Sequence, residues 1–340
     1  MMRTPILALR NRRATQGQHP GLLLQRYLCE NATGEGGNPE EKRAILQAAI
    51  NALRNEGVRA VYKAAFDRWK ASLPESTAAN DLQTVGRLIV GLGTENVLET
   101  GITLHHTYGM PVLPGSALKG LAAHYCDQVW GETEPRFNKG GDYHQLLFGT
   151  TDDSGCIIFH DGWFIPDSEK EPLKLDVMTP HHPKWLDGSV PPTDFDSPTP
   201  VPFLSVAGQF HVAVSWRGPA GDKALSWRDM AGDCLRDALF HWGIGGKTTS
   251  GYGRLAVPPP PPPPEPYKGK ANDTVDAVLL EKKTNKGGWR ALIKGHSQAG
   301  PIQNSDQVPA DAKAGDTVRL VIASINDRDV QFKWPPPANK

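Results

Sequence analysis

The sequence has few cysteines and no long apolar run. Its four cysteines lie far apart, and none has a second cysteine or a histidine at zinc-ligand spacing: Cys29, Cys126, Cys156 and Cys234. This spacing excludes a zinc-finger type of site and predicts reduced, mostly buried thiols. No apolar run approaches the roughly 18 residues of a membrane span, and the N-terminus lacks a secretory hydrophobic region followed by a cleavage site. We therefore expect a soluble, cytoplasmic protein with no membrane partner, no bound metal and no cofactor.

An excess of charge of one sign is also absent. The chain has 37 Lys and Arg residues against 37 Asp and Glu residues, so its formal net charge is zero. Residues 81–257 are acidic, with 13 basic against 21 acidic side chains, and both flanks are mildly basic. A simple basic-patch nucleic-acid binder would show the opposite balance. Any phosphate site in the middle of the chain must therefore use local donors and backbone amides.

Glycine, in contrast, is concentrated in one segment, residues 243–254, which contains five glycines in twelve positions. Glycine allows positive φ and a close approach of another molecule to the backbone. Successive unhindered amides, with nearby hydroxyl and cationic side chains, suit phosphate oxygens. These residues are the candidate RNA-binding groups of the segment: Gly245, Gly246, Lys247, Thr248, Thr249, Ser250, Tyr252 and Arg254. The alternative is a tight glycine turn at a sheet edge.

The same segment does not match a nucleotide-hydrolysing P-loop. That motif needs a glycine five positions before Gly246, in a loop that runs from a strand to a helix. The position holds His241, and the segment follows a predicted helix over 225–242. A nucleotide-binding enzyme is therefore improbable from the sequence.

A second candidate phosphate site lies at the start of another predicted helix. Ser116 follows Pro114 and Gly115 and is a good helix N-cap, which places Lys119 at the third helical position. A cation there opposes the helix dipole. We interpret Gly115, Ser116 and Lys119 as groups that share a bound anion at the helix N-terminus. The alternative is that Lys119 extends into solvent.

The order of the predicted elements gives the fold. Residues 39–73 are predicted to be helical, with Gly57 dividing two helices. Beyond residue 80 we expect one helix that begins at 116 and another over 225–242. The predicted strands are 84–92, 155–165, 173–178, 203–216 and 252–257. This order resembles βαββαβ, the ferredoxin-like arrangement, in which two helices cover one sheet face and the other face stays free for ligand. The predicted class is α+β.

The C-terminal part follows a run of seven prolines, which should form a stiff spacer. Short predicted strands beyond it indicate a small all-β, OB-like barrel. Trp289, Arg290 and Lys294 are candidate stacking and phosphate groups, and the alternative for Trp289 is a position in the core. The predicted organisation is an N-terminal arm and helical segment at 1–80, a core domain at 81–257, a polyproline linker at 258–266 and the barrel at 267–340.

Four motifs in this order resemble the RAMP superfamily of CRISPR proteins, and within it the sixth-subunit family of the Cmr (type III-B) effector. The motifs are Leu98-Glu-Thr-Gly-Ile-Thr-Leu-His105, Pro114-Gly-Ser-Ala-Leu-Lys-Gly120, Asp176-Val-Met-Thr-Pro-His-His182 and Gly243-Ile-Gly-Gly-Lys-Thr-Thr-Ser-Gly-Tyr-Gly-Arg254. The resemblance implies an RRM-like RAMP core with an inserted thumb, placed here at about 181–200. We interpret His181 and His182 as RNA contacts or hinge residues at this thumb. The polyproline run and the barrel are not part of the family pattern.

The resemblance also implies a non-catalytic subunit that binds CRISPR guide RNA and its target RNA. Such a subunit caps the backbone of the complex at the guide 3′ end and contacts backbone and small helical subunits. The alternative is a metal-independent endoribonuclease, since some RAMP proteins cut precursor guide RNA with His, Lys or Tyr as acid and base. The side chains available for that chemistry are His105, His106, Lys119, His181 and His182.

Overall fold

The computed structural model describes residues 18–26, 39–179, 185, 188–195, 200–221, 223–260, 264–281, 283–284, 287–326 and 329–335. The chain divides into two compact units, residues 1–258 and residues 259–340, so the division falls within the proline run. His181, His182 and Cys29 lie outside the described residues, as do much of the predicted arm, part of the predicted thumb and three prolines of the predicted spacer.

Three helices open the first unit: α1 (Pro20–Arg26), α2 (Pro39–Ala52) and α3 (Glu56–Ala71). The prediction of two helices over 39–73 is confirmed, but the division lies before Gly57. Asn55 caps α3, because its side-chain oxygen accepts a hydrogen bond of 3.1 Å from the amide of Val58. Gly57 lies in the first turn of α3.

Eight strands of the first unit form two sheets. The main sheet contains β1 (Thr77–Thr84), β2 (Val112–Leu113), β3 (Ile157–Phe159), β4 (Gly162–Phe164), β7 (Gln209–Trp216) and β8 (Leu255–Ala256). Its order is β2-β4-β7-β1-β8, with β3 also paired to β7, and all pairs are antiparallel. A separate hairpin pairs β5 (Leu173–Met178) with β6 (Val201–Val206).

The strand prediction for 84–92 was wrong, because the strand ends at Thr84 and the chain turns at Gly86, whose φ is 79°. The observed β1 has few apolar residues, but it pairs with the buried β7 from Thr77 opposite Ser215 to Gln83 opposite Gln209. Tertiary pairing therefore overrides local strand propensity here.

Two other predicted strands are each divided in the structure. The strand predicted at 155–165 forms β3 and β4, and the strand predicted at 203–216 forms β6 and β7. The second division occurs at Gly208, whose φ is 137° and where an added Cβ would lie 2.4 Å from the Phe164 ring. β6 thereby leaves the main sheet and pairs with β5. The strand predicted at 252–257 is shorter, since β8 contains only Leu255 and Ala256.

Three further helices complete the first unit: α4 (Gly115–Tyr125), α5 (Asp142–Phe148) and α6 (Ala224–His241). The helix prediction over 225–242 is confirmed to within one residue at each end. α4 and α6 pack against each other, and the Cys234 thiol donates a hydrogen bond of 3.4 Å to the Ala122 carbonyl. α6 also packs on the sheet, where an added Cβ at Gly232 would lie 3.6 Å from Val214.

The opposite face of the main sheet was predicted to stay free for ligand, and α3 covers part of it. The Trp69 ring stacks on Trp163 with centroids 4.9 Å apart, and Tyr62 also stacks on Trp163, at 5.9 Å. The Tyr62 hydroxyl donates a buried hydrogen bond of 2.7 Å to the Phe164 carbonyl. An aromatic ladder, formed by Tyr62, Trp69 and Trp163, therefore occupies part of the face that was predicted to stay free for ligand.

The second unit is a five-stranded all-β structure with β9 (Thr274–Leu279), β10 (Arg290–Ile293), β11 (Ala299–Pro301), β12 (Thr317–Ile325) and β13 (Val330–Lys333). Its order is β11-β10-β9-β12-β13, and a parallel bridge between Ile302 and Phe332 joins the two edges. At Gly300 an added Cβ would lie 1.5 Å from the Val330 carbonyl oxygen, so the backbones of β11 and β13 meet closely. Apolar side chains from β9, β10, β12 and β13, together with Ile302 directly after β11, fill the interior.

The two units together make the chain α+β, as predicted from the sequence. Among the helices that the structure describes, none combines the length and the apolar character that crossing a bilayer requires.

Candidate nucleic-acid interface

The glycine segment 243–254 connects α6 to β8 and lies against the chain that follows β1. The Gly246 amide donates a hydrogen bond of 2.7 Å to the Ile89 carbonyl, and the Gly253 amide donates one of 2.8 Å to the Arg87 carbonyl. The Ile244 amide donates to the carbonyl of Gly253 across the base of the segment at 2.9 Å. These amides are satisfied within the protein, so they are not free to hold an anion.

Two glycines of the segment are required by this packing. Gly245 has a φ of 89°, and an added Cβ would lie 2.0 Å from the Ile89 carbonyl oxygen. Gly253 has a φ of 84°, and an added Cβ would lie 2.2 Å from the Ile244 carbonyl oxygen. Both positions combine positive φ with a backbone contact that only glycine permits. The tight-turn alternative therefore accounts for these glycines.

The outer part of the segment offers groups that the protein itself does not use. Lys247 has a left-handed φ of 57° and is followed by a single helical turn, Thr248–Ser250. Within the described part of the chain, the amides of Thr248 and Thr249 have no hydrogen-bond acceptor. Thr249, Ser250 and Arg254 are exposed. Two amides, three hydroxyls and two cations thus remain available for a ligand.

An open cavity of about 550 Å³ lies beside this turn. It brings part of the glycine segment next to α4, and its lining residues are Ala117, Leu121, Trp242, Gly243, Ile244, Gly245, Thr248, Thr249 and Arg254. Four of the predicted RNA-binding residues are therefore brought together: Gly245, Thr248, Thr249 and Arg254.

The start of α4 differs from the prediction. The helix begins at Gly115, so Ser116 lies in the first turn and is not the N-cap. The Asp161 carboxylate accepts a hydrogen bond of 2.6 Å from the Gly115 amide, which gives this helix N-terminus an anion from the chain itself. Gly115 also permits close packing, since an added Cβ would lie 2.3 Å from the Phe159 carbonyl oxygen.

Lys119 is consequently the fifth residue of α4 and not the third, and its side chain is half-buried. It does not line the 550 Å³ cavity, which α4 contacts through Ala117 and Leu121. The structure therefore does not group Lys119 with the glycine segment, and its phosphate role stays a prediction.

Tyr252 points back into the protein. Its hydroxyl donates a hydrogen bond of 2.8 Å to Oδ2 of Asp176, which also accepts from the Ser205 hydroxyl at 3.3 Å and from Arg87 at 3.3 Å. Burial, followed by the hydrogen bond to Asp176, raises the pKa of Tyr252. Asp176 thus joins the glycine segment, the β5–β6 hairpin and the chain after β1. Sequence reasoning missed this role, although Asp176 opens one of the recognised motifs.

A second cavity, of about 480 Å³, contains the histidines considered for catalysis. It lies between α1 and the segment 94–107, and its polar lining includes His19, His105 and His106. Burial is the main cause of the lowered pKa values of His19 and His105, and repulsion from His106 lowers both further. These imidazoles are therefore held neutral near pH 7. His19 was not singled out by the sequence, because it lies far from the other two along the chain.

The described residues contain no group of three or more His, Cys, Asp or Glu side chains arranged to hold a metal ion.

The sequence of this chain matches the family model of the RAMP superfamily over residues 81–256. The chain belongs to the RAMP superfamily. This confirms the resemblance drawn from the four motifs, all of which lie within the matched region. The match includes the glycine segment, α4 and the Asp176 cluster of this RAMP protein, and it ends before the second unit begins.

Among characterised proteins, the chain is 31% identical over 232 residues to the CRISPR system Cmr subunit Cmr6 of Pyrococcus furiosus. The similarity covers 51% of this RAMP protein and 66% of that subunit, slightly less than two thirds of its length. The crystal structure of Cmr6 from Pyrococcus furiosus matches with 30% identity and a TM-score of 0.36, covering 55% of this chain and all of that one. A cryo-EM structure of the type III-B Cmr-beta complex bound to cognate target RNA contains a chain that is 20% identical, with a TM-score of 0.48 and coverage of 67% and 77%.

Proposed function

We propose that this RAMP protein is a non-catalytic, guide-RNA-binding subunit of a type III-B CRISPR effector, located at the end of the backbone near the guide 3′ end. The observation that carries the proposal is the open cavity beside the glycine segment. It presents cationic, hydroxyl and unpaired amide donors together at the surface of an otherwise acidic region. The similarity to Cmr6 of Pyrococcus furiosus supports the assignment to a Cmr-type complex with guide RNA, target RNA, backbone subunits and small helical subunits.

The fold assignment within this proposal follows the strand order. The series β8-β1-β7-β4, with α4 and α6 packed together and α6 on one sheet face, supports a ferredoxin-like core. The long connection between β5 and β6 is our candidate for the thumb, and the strand order and edge bridge of the second unit support an OB-like barrel.

RNA binding by the proposed site is independent of sequence. The Thr248 and Thr249 amides are hydrogen-bond donors to phosphate oxygens, and Lys247 and Arg254 neutralise the charge of the backbone. None of these contacts requires a particular base. A subunit that holds guides of many sequences needs this type of contact.

The test is the affinity of the full chain for a fluorescent single-stranded RNA, measured over a range of salt concentrations. Lys247→Glu/Arg254→Glu should weaken binding about tenfold or more, and the slope of log K against log salt should fall by roughly 0.7 for each lost phosphate contact. Arg68→Glu/Lys70→Glu is the matched control, because both of its residues are exposed on α3, away from the cavity. Equal affinity and equal salt slope in the two double variants would refute the proposed site.

The second cavity gives one observation in favour of the alternative, a metal-independent endoribonuclease. It places His105 and His106 together with His19, and imidazoles with a lowered pKa, such as those of His19 and His105, suit general base chemistry. Labelled repeat RNA should stay intact when it is incubated with the purified chain, with or without a chelator. Specific cleavage that survives the chelator and is lost in His106→Ala or His181→Ala would replace the non-catalytic proposal.

A further inference from the structure

The second unit lies outside the region that matches the RAMP family, and its sequence contains a local excess of basic residues. Residues 281–294 include five Lys or Arg residues and one acidic residue, although the whole chain is neutral. Local positive charge on a neutral protein is a signature of contact with a polyanion.

The strand register places two of these cations on one outer face of the barrel. Along β10, Ala291 and Ile293 are buried in the interior, so Arg290, Leu292 and the following Lys294 face outward. Leu292 pairs with Val278 of β9, which is also half-buried. The result is an apolar strip with a cation at each end. Arg290 is the first residue of β10, and Lys294 is exposed in the turn directly after its last residue, Ile293.

A third cation lies at the Arg290 end of this strip. The Lys283 ammonium is 4.3 Å from the centre of the Trp289 ring, directly before Arg290 in the chain. Lys283 is exposed and Trp289 is half-buried. Trp289 packs partly against the barrel interior, and its half-buried ring carries the Lys283 ammonium, so this third cation lies at the start of β10.

The pairing of these cations differs from that of their neighbour Arg319. The Nε of Arg319 on β12 lies 3.7 Å from Oδ1 of Asp276. The Asp276 carboxylate therefore neutralises the charge of Arg319. The Nε of Arg290 is buried and has no hydrogen-bond partner within the described part of the chain. A buried donor without an acceptor is costly in the free protein. Because this atom is buried, an external anion would reach only the terminal guanidinium nitrogens of Arg290, which form no ion pair within the described residues.

We propose that this outer face of β9 and β10 binds an unpaired polynucleotide strand. Arg290 and Lys283 contact phosphate at one end of the strip, and Lys294 contacts phosphate at the other. Bases between them pack on Leu292, Val278 and the Trp289 edge, without reading sequence. This is a second nucleic-acid site, and it does not depend on the site at the glycine segment.

The test uses the full chain carrying Lys247→Glu/Arg254→Glu, so that the RAMP site contributes little. Fluorescence anisotropy would follow binding of single-stranded RNA, single-stranded DNA and a duplex, each about 12 nucleotides long. Adding Lys283→Glu/Arg290→Glu/Lys294→Glu should weaken binding of the single strands by about tenfold or more and reduce the salt slope. The comparison of RNA with DNA identifies which strand is preferred.

The matched control is Lys270→Glu/Lys313→Glu/Lys333→Glu, which makes the same change of charge at exposed positions of the same unit. It should bind within about twofold of the background variant, whereas an equal loss in both triple variants would indicate non-specific attraction and overturn the proposal. The variant Lys283→Gln/Lys294→Gln changes only exposed side chains, so it should fold normally. Its affinity for single strands should still fall about threefold, which would show that the loss does not come from misfolding caused by changing Arg290.

The two proposals can fail separately. Loss of binding only with the barrel substitutions would support this second site and refute the one at the glycine segment. Loss only with Lys247→Glu/Arg254→Glu, or tighter binding of duplex than of single strands, would refute the barrel site.

Discussion

The Tyr252 hydroxyl donates a hydrogen bond of 2.8 Å to Oδ2 of Asp176. Tyr252 belongs to the glycine segment and Asp176 to β5, so this contact ties two of the four family motifs together. The same carboxylate oxygen accepts from Arg87 and Ser205. The glycine segment is therefore held at its outer end by a side-chain bond and along its length by backbone bonds to Arg87 and Ile89.

Removing this hydroxyl should loosen the segment. Tyr252→Phe loses a half-buried hydrogen bond to a charged acceptor, and we expect the free energy of unfolding to fall by about 1 kcal/mol. Urea denaturation measures the change. Tyr108→Phe is the control, because the Tyr108 hydroxyl makes no hydrogen bond within the described residues. A similar loss in both variants would contradict a specific role for the bond to Asp176.

Substitution of two glycines separates backbone strain from close packing. Gly245 and Gly251 have nearly the same φ, 89° and 87°, but an added Cβ at Gly251 meets nothing within 4 Å. Gly251→Ala should therefore cost only the left-handed strain, about 1 kcal/mol, and Gly245→Ala should cost clearly more because its Cβ would meet the Ile89 carbonyl oxygen. Thermal denaturation of the two variants checks this order. Equal costs would mean that the backbone moves to relieve the contact.

The sequence predicted the helices better than the strands. α6 has apolar residues at helical spacing and ends before a glycine, and both signals are local. β1 has the sequence TAANDLQT, and it forms a strand because β7 and β8 lie beside it. The division at Gly208 likewise depends on Phe164, which is distant in sequence. Local periodicity does not contain these contacts.

The candidate site was predicted in outline only. The glycine segment was found from composition, but Gly245 and Gly253 serve packing, and the outward donors are those of Lys247, Thr248, Thr249 and Arg254. Composition does not distinguish a glycine that faces a ligand from one that faces a carbonyl oxygen. The anion at the start of α4 is Asp161, 46 positions beyond Gly115, and no spacing rule connects the two.

Acid should destabilise the protein through its buried histidines. The Nε2 of His160 lies 2.8 Å from the Ser215 hydroxyl, and burial lowers the pKa of this imidazole. The folded state thus binds a proton less readily than the unfolded state. The stabilisation is complete above the unfolded pKa of about 6.5 and is lost as pH falls through the folded pKa.

We therefore expect the urea midpoint to fall between about pH 7.5 and pH 5.5. His160→Gln should reduce this pH dependence, because glutamine can still bond to Ser215 but does not titrate. His124→Gln changes an exposed histidine and serves as the control. An unchanged pH dependence in His160→Gln would show that other groups cause the acid sensitivity.

The aromatic ladder under α3 should contribute strongly to stability. Tyr62 is 2% exposed, and its hydroxyl is the hydrogen-bond partner of the Phe164 carbonyl. Tyr62→Phe leaves that carbonyl buried without this donor, which should cost about 1–3 kcal/mol. RNA affinity should not change, because α3 lies away from the proposed site. Denaturation combined with RNA binding tests both statements, and a loss of affinity in the folded variant would show that this sheet face takes part in binding.

The two lysines first singled out from the sequence should behave differently. Neither lysine lines the 550 Å³ cavity, but Lys247 directly precedes Thr248 and Thr249, which do, whereas Lys119 lies on α4 outside the glycine segment. Lys247→Gln should lower the slope of log K against log salt for single-stranded RNA by about 0.7, the value for one lost phosphate contact, and Lys119→Gln should leave it unchanged. Glutamine removes the charge without adding repulsion, so the slope reports lost contacts directly. If Lys119→Gln lowered the slope as much as Lys247→Gln, the bound RNA would also have to contact the start of α4. It would do so although the Asp161 carboxylate already lies at that helix N-terminus.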